Sequence, residues 1–181
     1  MFGIQTNPLP KPGHARTRPS EATASPSVVR TRAIAEALGA IRVNAFELFL
    51  KTDKFFWHMG GADLHECQLL LDAQADQLFA MTAPLAARLR ELNGPRRRCR
   101  ARLQGVSASD ADLSSPLTLL SQLQRDNQVL AACLRTLRHL CAAACDRATA
   151  GPLENWIFES ERRALLLSEA GRRARPHVAA S

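Results

Sequence analysis

Apolar residues recur at alternating steps of three and four in four separate segments of this 181-residue chain, and no segment shows the period-two alternation of a strand. The first stripe runs Ile34, Leu38, Ile41, Ala45, Leu48, Phe55 and Met59, with Thr52 filling one step. Gly60-Gly61 stops it. A second helix opens at Asp63, which can cap its first turn while Glu66 reaches back. Its stripe is Cys67, Leu71, Leu78, Met81, Leu85, Leu89 and Leu92, closed by Asn93-Gly94-Pro95. Pro84 lies inside this helix, removes one backbone donor and predicts a kink around residues 80–84. Ser115-Pro116 reads as N-cap and first helical position of a third helix, marked by Leu117, Leu120, Leu123, Leu130, Leu134, Leu137 and Cys141. Gly151-Pro152 breaks the chain, and Leu153, Trp156, Ile157, Ala164 and Leu167 mark a fourth helix ending near Gly171.

The expectation is one all-α domain, an antiparallel four-helix bundle over residues 29–172. Residues 95–115 are too long for a simple turn and are read as a crossover between helices two and three. Residues 1–28 are rich in Pro, Ser, Thr and Ala, lack apolar periodicity and read as a flexible basic tail; residues 173–181 form a second, short basic tail. An aromatic fraction of 5% leaves the core to Leu and Ala, which suits helices.

The formal net charge of +7 comes largely from Arg and favours a polyanionic partner, nucleic acid first. No base-reading motif is present, so binding is expected to ignore sequence. No run approaches the roughly 18–20 apolar residues that span a bilayer. The first residues lack a secretory apolar stretch, and the five cysteines read as reduced thiols, so the expected location is the cytoplasm.

The stretch Leu48 to Gly61, Leu-Phe-Leu-Lys-Thr-Asp-Lys-Phe-Phe-Trp-His-Met-Gly-Gly, resembles the first-helix signature of the Dps family, small ferritins that protect DNA in starved bacteria. The resemblance continues through Leu69 to Ala75, Phe79 to Thr82, Leu153 to Ile157 and Glu159 to Arg163, covering residues 30–172 in order. It implies a ferritin-like bundle, a hollow dodecamer of identical subunits, and ferrous iron oxidised at sites shared between two-fold related chains. It also implies mineral storage inside and DNA binding by basic tails, with nucleoid association.

Carried over residue by residue, the resemblance places the family's iron ligands at positions 56, 68, 72, 83 and 87. Here these are Phe56, Gln68, Asp72, Ala83 and Ala87, so Asp72 alone keeps a typical liganding group. Positions 68, 72, 83 and 87 share one helix face. Ferrous iron needs several hard oxygen or imidazole donors, and an aromatic ring and two methyl groups supply none. Asp72 is therefore read as vestigial, and iron as a weakly supported cofactor. A substitute cluster of His58, Asp63, His65 and Glu66 is more simply explained by capping, and Cys141 and Cys145 by packing.

Asp146, at the junction of the last two helices, is the candidate acid of an iron-entry pore. Lys11, Arg16, Arg18, Arg30 and Arg32 are the candidate DNA contacts; Arg96 to Arg102 and Arg172 to Arg175 add basic groups. The expected function is a cage that binds and protects DNA without ferroxidase activity of its own. The alternatives are an iron-storing mini-ferritin with a rebuilt site, and a non-catalytic subunit that co-assembles with an intact Dps partner.

Overall fold

The computed structural model describes residues 25–58, 65–93 and 115–174. Among these, all regular structure is helical: α1 Pro26–His58, α2 His65–Glu91, α3 Pro116–Ala144, the single turn α4 Arg147–Ala150, and α5 Leu153–Arg173. None of these helices is long and apolar enough to cross a membrane.

The stripes read from the sequence form the core. Leu38, Leu71, Leu78, Leu85, Leu120, Leu123, Leu130, Leu134 and Leu137 are all buried in one cluster with Ile34, Ile41 and Phe55. Each such side chain withdrawn from water contributes roughly 1.5–3 kcal/mol, so the stripes carry most of the drive to pack. α1 packs on α2 and α3, and α3 packs on α5. α1 and α2 run antiparallel, with the rings of Phe49 and Phe79 5.2 Å apart near mid-helix. α1 and α3 are also antiparallel. Arg30 Nη1 at the start of α1 donates to the Ala143 carbonyl at the end of α3 (3.2 Å), while Lys51 Nζ donates to Asp126 Oδ2 (2.6 Å) farther along. The ends of α2 and α3 therefore share one pole, and the connection between residues 93 and 115 leads from that pole to the other, as a crossover requires.

Several boundaries differ from expectation. α1 opens at Pro26, inside the segment 1–28 expected as tail. Proline is pre-organised for the first helical turn and its missing N–H has no helical partner to lose, so Ser25-Pro26 starts the helix before the apolar stripe begins. The Val29 N–H donates to the Ser25 carbonyl at 3.1 Å. At the other end Gly171 does not stop α5, which continues through Arg172 to Arg173, the first residue of the expected C-terminal tail. α2 runs through Pro84, which sits on an exposed position, so the ring meets solvent and not a neighbouring helix. The expected opening at Asp63 lies outside the described residues.

α3 ends seven residues before Gly151-Pro152. Cys145 adopts the left-handed conformation (φ 55°), its N–H donates to the Ala142 carbonyl (3.2 Å), and the Asp146 N–H donates to the Cys141 carbonyl (2.9 Å). This is a Schellman closure, normally built on glycine. A Cβ in that conformation costs about 1–2 kcal/mol. Cys145→Gly is therefore expected to raise stability by up to about 1 kcal/mol after the added chain entropy is subtracted, read as an increase in the urea midpoint with an unchanged m-value; an unchanged midpoint would show the strain is absorbed locally.

Candidate metal face and the polar layer of the bundle

Phe56, near the C-terminal end of α1, is half-buried and packs edge-on against Trp57, ring centroids 5.2 Å apart at 88°. Trp57 itself is 75% exposed. On α2, Gln68 and Ala87 are half-buried, whereas Asp72 and Ala83 are exposed. Asp72 has no hydrogen-bonded or ionic partner among the described residues. The side chains at these five positions can thus offer one carboxylate and one neutral amide. A pair of iron ions needs several anionic or imidazole donors to bind and to stabilise the ferric product, and this donor set does not fit them.

The substitute cluster does not assemble among the described residues. His58 is exposed, its Nδ1 2.7 Å from the Lys54 carbonyl one turn back; His65 is exposed at the start of α2; Glu66 faces Arg173 at 3.9 Å; Asp63 lies outside the described residues. No group of three or more His, Cys, Asp or Glu side chains comes together among them.

Asp146 is half-buried and heavily engaged within its own chain. Arg88 Nη2 donates to both carboxylate oxygens (2.9 and 3.1 Å), and the Thr149 amide and hydroxyl donate at 3.0 and 2.5 Å. The same guanidinium reaches Thr149 Oγ1 through Nε (2.8 Å) and Glu91 through Nη1 (2.7 Å). Asp146 is the N-cap of α4 and ties it to the last turn of α2. Burial acts to raise its carboxyl, but the Thr149 hydroxyl and amide and the Arg88 guanidinium outweigh burial and hold it below the ordinary carboxylate range. Close by, burial and the Asp146 charge push the Cys141 thiol up to about 11, which leaves it inert at neutral pH. Cys145, one turn on, is exposed.

Of the candidate DNA contacts, Lys11, Arg16 and Arg18 lie outside the described residues. Arg30 and Arg32 are exposed on the first turns of α1; Arg30 also holds the Ala143 carbonyl, and Arg32 pairs with Glu36 at 3.0 Å. The described helices are close to charge balance, so most of the excess of +7 belongs to the segments outside them, chiefly residues 1–24 and 94–114.

The structure also contains a polar layer that the stripe reading passed over. Arg163 is only 1% exposed. Its Nε donates to Asn127 Oδ1 (2.8 Å), Nη2 to Ser160 Oγ (2.9 Å), and Nη1 reaches Gln77 Oε1 at 3.4 Å. Desolvation lowers the guanidinium to about 10, so it stays charged at neutral pH. Asn127 and Ser160 are anchored in turn by bonds to the Leu123 and Trp156 carbonyls of their own helices. A signal was present in the sequence: the stripes step by seven from Leu71 to Leu78, Leu123 to Leu130 and Ile157 to Ala164, and Gln74, Asn127 and Ser160 fill those gaps.

The architecture has known counterparts. The fold is similar to Dps from Thermosynechococcus elongatus, with a TM-score of 0.71 at 18% identity over 86% of this chain and 99% of that one. It is similar to an archaeal Dps homologue from Halobacterium salinarum, with 0.70 at 23% identity over 87% and 91%. A third match is Dps from Vibrio cholerae O1, described as a member of a broad superfamily of ferritin-like diiron-carboxylate proteins, with 0.68 at 17% identity over 78% and 91%. No curated protein matches the sequence. The ferritin family model, a ferritin-like domain, matches residues 35–170. The chain therefore belongs to the ferritin-like family, and its fold is that of the Dps proteins.

Proposed function

We propose that this protein is a Dps-like, cage-forming subunit that binds DNA without sequence preference, protects it under stress, and has no ferroxidase activity of its own. The observation that carries the reading is the chemistry of the α1–α2 face, where Phe56, Gln68, Ala83 and Ala87 occupy the positions at which the family resemblance places iron ligands. The basic excess, concentrated in segments attached to near-neutral helices, supports a phosphate-binding role for Lys11, Arg16, Arg18 and the exposed Arg30 and Arg32. One such tail binds weakly, and many copies on a cage, a dodecamer by family resemblance, raise the avidity by orders of magnitude. Cytoplasmic, nucleoid-associated placement follows from the same reading.

Gel retardation with unrelated DNA sequences is expected to show equal binding that weakens with salt, each phosphate contact adding about 0.9 to the log–log slope. Light scattering should return a closed oligomer, and ferrous iron with peroxide should be oxidised no faster than without protein. A stable monomer that leaves DNA unretarded at low salt sinks the proposal. Iron oxidation saturating at a set ratio per subunit, and weakened by Asp72→Asn, would instead favour a rebuilt mini-ferritin site.

The exposed, unpartnered Asp72 favours one second reading, a subunit of a mixed cage that lends this acid across the seam to an intact Dps partner. Purification of mixed oligomers from the native host would support it; homo-oligomers alone would count against it.

A further inference from the structure

The gaps in the apolar stripes meet at one level of the bundle. Lys51 bonded to Asp126 brings the adjoining Thr52 of α1 and Asn127 of α3 to within about one helical turn of the same level; Asn127 accepts from Arg163 of α5, and Arg163 reaches Gln77 of α2. Thr52, Gln74, Asn127, Ser160 and Arg163 are all buried, and each of the four long helices supplies at least one of them. α1 and α3 give a single group each, Thr52 and Asn127. α2 and α5 give pairs three residues apart, Gln74 with Gln77 and Ser160 with Arg163.

That distribution matches the placement used by dimetal bundles of this architecture, which take one Glu from each of two helices and a Glu-x-x-His pair from each of the other two. Here the same positions hold hydroxyls, amides and a guanidinium, with no carboxylate and no imidazole. Two divalent ions with four carboxylates make a neutral cluster. This layer carries one fixed positive charge whose hydrogen-bond acceptors are all neutral, with the half-buried Glu159 carboxylate of α5 as the anion that acts on it. Gln74, where the pattern would place a Glu, is 2% exposed, and neither polar atom of its side-chain amide has a hydrogen-bond partner among the described residues.

We propose that this layer is a metal-free counterpart of an intra-bundle metal site, in which the Arg163 guanidinium takes the place of the metal as the internal cation that joins α2, α3 and α5 and sets their register. The layer disfavours divalent cations, because an ion entering it would meet a buried like charge, and the one carboxylate that acts on that charge, Glu159 of α5, lies outside the ring of layer positions. The layer lies inside the bundle, so neither DNA binding nor the chemistry at the α1–α2 face bears on it.

The test is thermal unfolding of the full chain with EDTA and with cobaltous ion as the probe metal, together with a charge-reporting cycle. The parent melting temperature is expected to be the same in EDTA and in cobalt, with no cobalt d–d absorption. Arg163→Ala is expected to lower it by on the order of 10 °C. Asn127→Asp places a carboxylate on the guanidinium and is expected to raise the melting temperature in the parent, but to lower it in the Arg163→Met background, where the acid is left unpaired. If Arg163→Ala does not fold, Arg163→Met preserves the volume and still reports on the charge. Cobalt that stabilises the parent, or an Asn127→Asp effect of the same sign in both backgrounds, would overturn the proposal.

Discussion

A variant carrying Phe56→His, Gln68→His, Ala83→Asp and Ala87→Glu is expected to oxidise ferrous iron about two orders of magnitude or more faster than the parent chain. Altering groups that merely support a metal's ligands changes activity about 10–100-fold, so supplying the ligands themselves should exceed that range. The four positions are accessible to such a change. Ala83 is exposed, Phe56, Gln68 and Ala87 are half-buried, and no side-chain hydrogen bond or ion pair among the described residues uses them, so imidazoles and carboxylates can be added on α1 and on the face of α2 that carries Asp72 without emptying the core. Peroxide-driven oxidation followed at the ferric absorption band is the readout. Oxidation that remains at the protein-free rate in a correctly assembled variant would show that the ligand positions carried over by resemblance do not converge. Oxidation already fast in the parent would show that ligands lie elsewhere.

Asp146→Ala should cost about 3 kcal/mol, or a fall of roughly 6–12 °C in melting temperature for a domain of this size. The change removes the cap of α4 and strands the buried half of Arg88, whose side chain is 24% exposed and is left with Thr149 Oγ1 and Glu91. Because the folded carboxyl titrates lower than in the unfolded chain, its contribution is complete above the unfolded value near pH 4 and is lost as pH falls through the folded value. The parent should therefore lose stability more steeply on acidification than Asp146→Asn. Parallel profiles would mean the carboxylate charge contributes nothing. The same geometry bears on the pore expectation: these bonds already occupy the carboxylate inside its own subunit, and a cation there would have to compete with Arg88.

The all-α class, the four long helices and the buried stripe residues were legible because helices bury a face with a period near 3.6, and that period is local. That Gln68, Asp72, Ala83 and Ala87 share one face of α2 was legible for the same reason, whereas the choice of these positions came from the family resemblance alone. Pro26 was missed because its effect is on backbone pre-organisation, which hydropathy does not report. The end of α3 was missed because Cys145 takes a conformation that residue type alone would assign to glycine; the Arg88–Asp146–Thr149 network rewards it across a separation of 58 residues between Arg88 and Asp146.

The polar layer divides most clearly between the two sources. The sequence by itself determined that each stripe carries a polar residue at one step, since that is a matter of spacing. Only the tertiary structure decided that those steps lie at one level and that Arg163 turns inward among them while Arg162 stays exposed. An arginine is exposed by default, because desolvating a charge costs more than its stem gains. Whether that cost is offset depends on acceptors from other helices, here Asn127 and Gln77, and long-range pairing of this kind has no local signature in the chain.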